Sequence, residues 1–279
     1  MNRARGFSLV ELAVVMTIVA FLLGGLIYTL SAQTEQRNFE DTRRRLEQAR
    51  ELLLSFGISR GRLPCPARYT SAASHSNGME SFCTTAATSS VSTCAGSETT
   101  TEQAHGTCSN HFDGFLPAAS IGYVQADASG FAVDAWGNRI RYAVTRTNTA
   151  CSGSVLPANG YTTMFTSKTY LQNYGITCQP DDLLVCKSST GITGTTCGGA
   201  ANQVMGQSLA VVIIYSTGKN GAGVAGGVDE AANLNGDRVF VHHTPTTADA
   251  ASGGEFDDQF TWITVGELYG KLIAAGQLP

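Results

Sequence analysis

The chain opens on its longest apolar stretch. From Leu12 to Thr34 no side chain is charged, and Val14, Val15, Ile18, Phe21, Leu22, Leu23, Leu26, Ile27 and Leu30 crowd the run. At about 1.5 Å per helical residue, such a run covers roughly 35 Å, enough to span a hydrocarbon core. From Gln33 to Phe56 the pattern turns amphipathic: Phe39, Leu46, Ala49, Leu53 and Phe56 recur at helical spacing, while Arg43, Arg44, Arg45, Glu47 and Arg50 fill the other faces. No proline interrupts residues 7–56, so the pattern predicts one long helix, membranous in its first half (7–34), amphipathic in its second (35–56) and ended by Gly57. Gly24-Gly25 is its weakest point, since glycine costs up to about 1 kcal/mol relative to alanine; it is read either as a place to unwind or as small-residue packing.

Beyond Gly57 the signals change. Leu63-Pro64-Cys65-Pro66 must be extended or turning. Thr70 to Thr107 is rich in Ser, Thr, Ala and Gly and reads as a surface insertion without a core of its own, with a glycosylated stretch as the other reading. Ordered structure resumes at Phe112. Ile140, Tyr142 and Val144 alternate with more polar neighbours as a half-buried strand does, after a turn at Asp134-Ala135-Trp136-Gly137-Asn138. Leu209 to Tyr215 is a continuous apolar run rich in β-branched residues, too short for a membrane, and predicts a buried central strand. A glycine-rich loop (218–227), an acidic segment (229–237) and a strand candidate from Arg238 to His243 follow. Thr264-Val265-Gly266-Glu267 has capping-box spacing and predicts the start of a last helix. The expected fold is α+β: a long N-terminal helix packed on an antiparallel β-sheet domain (57–279) with disulfide-stapled loops and the insertion at 70–107.

Composition narrows the setting. All eight cysteines lie between Cys65 and Cys197, and none forms a Cys-x-x-Cys pair, so disulfides in an oxidising compartment are expected. Sequence proximity suggests Cys83 with Cys94 and Cys186 with Cys197, leaving Cys65 with Cys108 and Cys151 with Cys178. The formal charge is −4, and loss of Arg3 and Arg5 leaves 16 basic against 22 acidic side chains, −6. No nucleic-acid partner is expected of such a balance.

The start of the chain carries the sharpest signal. Arg3 and Arg5 precede Gly6-Phe7-Ser8-Leu9-Val10-Glu11, and the positive-inside rule keeps this short leader (1–6) in the cytoplasm. Glu11 sits at the head of an apolar run, where a buried charge costs about 3 kcal/mol or more, so it needs a partner. A cut after Gly6 creates an ammonium on Phe7, four residues before Glu11. A secretory signal peptide and a plain signal anchor are the alternatives, but the run is too long for the first and neither uses Glu11.

Gly6-Phe7-Ser8-Leu9-Val10-Glu11 before an apolar run closely resembles the signal of type IV pilins and type II secretion pseudopilins. The resemblance implies a pilin-like fold and cleavage after Gly6 by a prepilin peptidase, with methylation of Phe7 and Glu11 as the register-setting carboxylate. It also implies a single-pass protein of the bacterial inner membrane with its C-terminal domain in the periplasm. An inner-membrane assembly platform then delivers it into a filament of other pilin or pseudopilin subunits. Asp134-Ala135-Trp136-Gly137-Asn138-Arg139-Ile140-Arg141-Tyr142 also resembles a turn of major pseudopilins, departing from it at Ala135, Arg139 and Ile140.

Catalytic signatures are weak. Gly221-Ala222-Gly223-Val224-Ala225-Gly226 follows a strand, but an acidic segment rather than a helix comes after it. His242 and His243 are adjacent and would point to opposite faces of a strand. No enzyme and no organic cofactor are expected. Asp229, Glu230, Asn233, Asn235 and Asp237 offer oxygens suited to a structural calcium ion, with a plain solvated loop as the alternative. Two functions follow: a structural filament subunit, minor pilin or pseudopilin, or an adhesin or substrate-binding module displayed on such a filament.

Overall fold

The computed structural model describes residues 8–68, 77–86, 94, 97–146, 163–175, 180, 183–221, 226–249 and 253–278, without the side chains of 23 and 25–31. Its elements in chain order begin with helix α1 (Leu9–Arg60), β1 (Phe82–Cys83), β2 (Glu98–Thr99), β3 (Gly114–Phe115) and α2 (Ala118–Ile121). Then come β4 (Arg141–Val144), α3 (Lys168–Tyr174), β5 (Leu184–Cys186), β6 (Gln203–Met205) and β7 (Ala210–Ser216). The last are α4 (Val228–Ala232), β8 (Val239–Val241), β9 (Gln259–Thr264) and α5 (Val265–Ala274). The chain divides into two compact units at Asp41/Thr42, so α1 contributes its last turns to the second unit.

The expected antiparallel sheet is present, in the order β3-β4-β7-β9. β7 lies inside it, pairing Tyr142 with Ile214 on one side and Ile213 with Trp262 on the other. All seven of its residues are buried. Both faces are covered, which explains the unbroken apolar run. Val212 and Ile214 join the core that contains Leu46, Ala49 and Leu53 of α1. Ile213 and Tyr215 join a second core with Val185 and Phe240 of a smaller sheet, ordered β6-β5-β8. In that sheet β5 and β8 run parallel, a long-range pairing that the sequence pattern does not announce.

α1 docks through its predicted apolar stripe, with Leu46, Ala49, Leu53 and Phe56 buried. Polar contacts fix its position. Arg45 donates to the carbonyls of Val133 (3.1 Å) and Asp134 (2.7 Å), and Thr42 accepts from the Ala135 amide (3.1 Å). Arg50 donates to Glu267 (2.6 Å) and to the Trp262 carbonyl (3.0 Å). The helix does not end at Gly57. It runs to Arg60 and stops at Gly61, whose φ of +71° is the left-handed conformation that glycine adopts cheaply at a helix end. Gly57 stays helical, and its carbonyl accepts the Gly61 amide at 2.8 Å. The expected boundary at 56/57 therefore moves to 60/61, and the compact unit itself begins at Thr42.

The Asp134–Asn138 turn is organised by its carboxylate. Asp134 Oδ1 accepts the amides of Trp136 (2.9 Å) and Asn138 (2.8 Å), and Oδ2 accepts the Ser216 hydroxyl (2.6 Å). The buried residue here is Asp134, while Trp136 is half-buried.

The stretch expected as a coreless insertion contributes to the core where it is described. Phe82 is fully buried, and Glu80 forms a buried ion pair with Arg62 through both carboxylate oxygens, each at 2.8 Å. The Cys65–Cys108 disulfide draws the segment inward, and Cys83–Cys94 and Cys186–Cys197 close two shorter loops. The two shorter pairs are those suggested by proximity, and Cys65–Cys108 is one of the two pairs left over by them. Cys151 with Cys178 lies outside the described residues. Between β4 and β5 the chain also forms α3, a seven-residue helix capped by Ser167 and too short to show periodicity in the sequence.

Candidate functional site

The N-terminal signal and the acidic segment are the two candidate sites. Gly6 and Phe7 lie outside the described residues, which begin at Ser8, just before α1. The Ser8 amide donates to Glu11 Oε2 at 2.9 Å, and the Glu11 amide donates to the Ser8 hydroxyl at 3.2 Å. This is a reciprocal capping box, which satisfies two amides that a helix start leaves without intrahelical partners. Ser8-Leu9-Val10-Glu11 has the required spacing, a signal not used in assigning Glu11 a partner from another chain. Thr17 turns its hydroxyl onto the Ala13 carbonyl (2.9 Å), so its polar atom is also satisfied within the helix.

Around these groups the helix is apolar and uncovered. Leu9, Val10, Phe21 and Leu22 are all more than 60% exposed. Among the described residues no helix is long and apolar enough to cross a membrane.

A family model, the prokaryotic N-terminal methylation motif, matches residues 1–27. The chain thus carries, over its first 27 residues, the N-terminal methylation signal of type IV pilins and pseudopilins. No curated protein and no solved structure matches the chain.

The acidic segment does not form the single shell of oxygens expected of it. Asp229 and Glu230 lie in the short helix α4 and are buried. Asp229 accepts the Ser189 amide (2.6 Å) and pairs with His243 Nε2 (3.2 Å). The side chain of Asn233 is spent on the sheet: its Nδ2 donates to the Val241 carbonyl (3.0 Å) and its Oδ1 accepts the Val241 amide (2.7 Å). Asn235 and Asp237 close a turn on each other, with Asn235 Nδ2 donating to Asp237 Oδ2 at 2.8 Å.

Among the described residues, the carboxylates that do converge are Glu230, Asp257 and Asp258, whose oxygens lie within 4.8 Å of one another. Only Glu230 belongs to the expected set. Asp257 and Asp258 stand at the head of β9, and the fold brings α4 to them. Glu230 accepts from Asn220 Nδ2 (2.7 Å) and from the Asp257 amide (2.6 Å), and Asn233 Nδ2 donates to Asp258 (2.7 Å). Burial, reinforced by the charges of Glu230 and Asp257, pushes the Asp258 carboxyl up to about 8. Burial raises Glu230 and Asp257 as well. The adjacent Phe256-Asp257-Asp258 was visible in the sequence, but nothing there linked it to Glu230.

Neither histidine near this group is placed like a metal pair. His243 stacks on Phe256 with ring centroids 4.0 Å apart, while His242 lies among Phe260 and Trp262. Burial lowers the His242 pKa first, and the neighbouring His243 lowers it further.

Proposed function

We infer that this chain is a structural subunit, a minor pilin or pseudopilin, of a type IV filament or a type II secretion pseudopilus. The observation that carries the reading is the match of residues 1–27 to the methylation motif, a span that takes in Gly6, Phe7 and Glu11. On this reading the uncharged run to Thr34 anchors the chain in the inner membrane before assembly, with the domain outside. Filament packing then covers the exposed Leu9, Val10, Phe21 and Leu22. A neighbour's ammonium would neutralise Glu11 once the helix leaves lipid.

Intact-mass measurement of the membrane fraction tests the reading. The mature chain is expected to begin at Phe7 and carry one added methyl group. A mature start near Gln33 would overturn it. A displayed binding module is the second reading, and it draws on the loop closed by Cys186–Cys197, whose wall faces an arginine-lined cleft.

A further inference from the structure

We propose that the cleft between this loop and the start of β8 binds a small ligand carrying an oxyanion, a carboxylate or a phosphate. Three segments meet there. Arg146 follows β4, Arg238 immediately precedes β8, and Thr195 projects from the disulfide-closed loop. With Phe112 and Asp237 they line a cavity of about 430 Å³, within the few-hundred-Å³ range of small-molecule sites.

The charge in the cleft is set against that of the chain. The whole sequence is formally −4, yet here two guanidinium groups face one carboxylate. That carboxylate is shared: Asp237 Oδ1 accepts the Val239 amide at 2.7 Å, Oδ2 accepts Asn235 Nδ2 at 2.8 Å, and the Arg238 charge acts on it as well. Arg146 is buried, its guanidinium carbon 5.1 Å from the centroid of the Phe112 ring. Stacking of this kind fixes the plane of the group and lowers the entropy lost when it binds an anion. Each guanidinium carries N–H donors in a fork matched to carboxylate and phosphate. His111, fully buried nearby, is held neutral by its burial and by the Arg146 charge and adds no competing cation.

Cys186–Cys197 closes the loop over 11 residues, and Gly194 lies so near Asp237 that a Cβ there would stand 3.5 Å from the carboxylate. Thr195 is exposed at the rim, its hydroxyl 3.4 Å from that of Thr193, and a hydroxyl both donates and accepts. The proposal stands apart from the filament reading and survives its failure, because it uses only residues of the second unit.

Titration calorimetry on the full chain in detergent tests it, with sodium galacturonate, inorganic phosphate and uncharged galactose as probes. One or both anions are expected to bind, and which one does identifies the source of the oxyanion. Arg238→Gln should weaken that binding about tenfold or more, Thr195→Val a few-fold, and Asp237→Asn should strengthen it. Arg238 and Thr195 are not core residues, and a melting curve for each variant confirms folding; should Arg238→Gln fail to fold, the Thr195→Val and Asp237→Asn pair still decides. Absence of binding by both anions overturns the proposal. So does galactose binding as well as galacturonate does, or affinities that none of the variants changes.

Discussion

The carboxylate of Glu11 lies 2.9 Å from the backbone amide of Ser8, one peptide unit beyond the expected cleavage point. Before any neighbour arrives, Glu11 already caps its own helix. The capping contribution and the charge can be separated. Glu11→Gln keeps an acceptor for the Ser8 amide and removes the charge, whereas Glu11→Ala removes both. If charge pairing sets the filament register, both variants should insert in the membrane and both should fail to enter filaments. Recovery of normal incorporation in Glu11→Gln, scored by shearing and blotting, would leave capping as the role.

Arg62 and Glu80 form a buried pair, with Arg62 only 1% exposed and also paired with Glu102 at 2.9 Å. Burial opposes the arginine's charge, but its hydrogen bonds with Glu80 and Glu102 outweigh this and raise its pKa. Glu80→Ala leaves the cation underneath without its bidentate partner and should cost roughly 3–5 kcal/mol. Glu102 is half-exposed, so Glu102→Ala should cost much less. Chemical denaturation of the two variants checks the order.

The disulfides should differ in value. Cys65–Cys108 spans 43 residues, and each of the other described bonds spans 11. In the chain-entropy picture the longer loop contributes about 4 kcal/mol and the shorter ones about 3. Replacing Cys65 and Cys108 together by serine should therefore lower stability most, an effect increased by their burial in the main core. Equal losses for Cys83/Cys94 and Cys65/Cys108 would contradict this order.

Asp258 gives stability a definite pH dependence. The folded state holds its proton up to about pH 8, whereas the unfolded chain releases it near the ordinary value of 3.8. Between those limits the folded state binds more protons, so stability falls as pH rises. Asp258→Asn should flatten the decline of melting temperature between pH 5 and 8 and raise it at pH 8. Glu230 and Asp257 are raised in the same direction and leave a residual slope.

Calcium could replace the proton in neutralising this group, and a comparison of millimolar calcium with chelator at pH 8 tests that reading. The expected rise in melting temperature should vanish in Asp258→Asn and persist in Asp237→Ala, because Asp237 lies outside the converging carboxylates.

What the sequence determined by itself was whatever depends on near neighbours. Helical periodicity placed Leu46, Ala49 and Leu53 on one face, and the β-branched run marked β7. Spacing alone was enough for the capping of α5, where the Glu267 amide donates to Thr264 at 3.3 Å, and for the Cys83–Cys94 and Cys186–Cys197 disulfides, which left Cys65 for Cys108. The methylation motif is a contiguous string and needs no fold to be recognised. Tertiary structure decided the rest. The meeting of Glu230 with Asp257 and Asp258, the parallel pairing of β5 with β8, and the cleft between Arg146 and Arg238 each join segments tens of residues apart. Such contacts arise from packing two sheets and a helix around shared cores. Local propensity carries no record of which distant partner a strand or a carboxylate will meet.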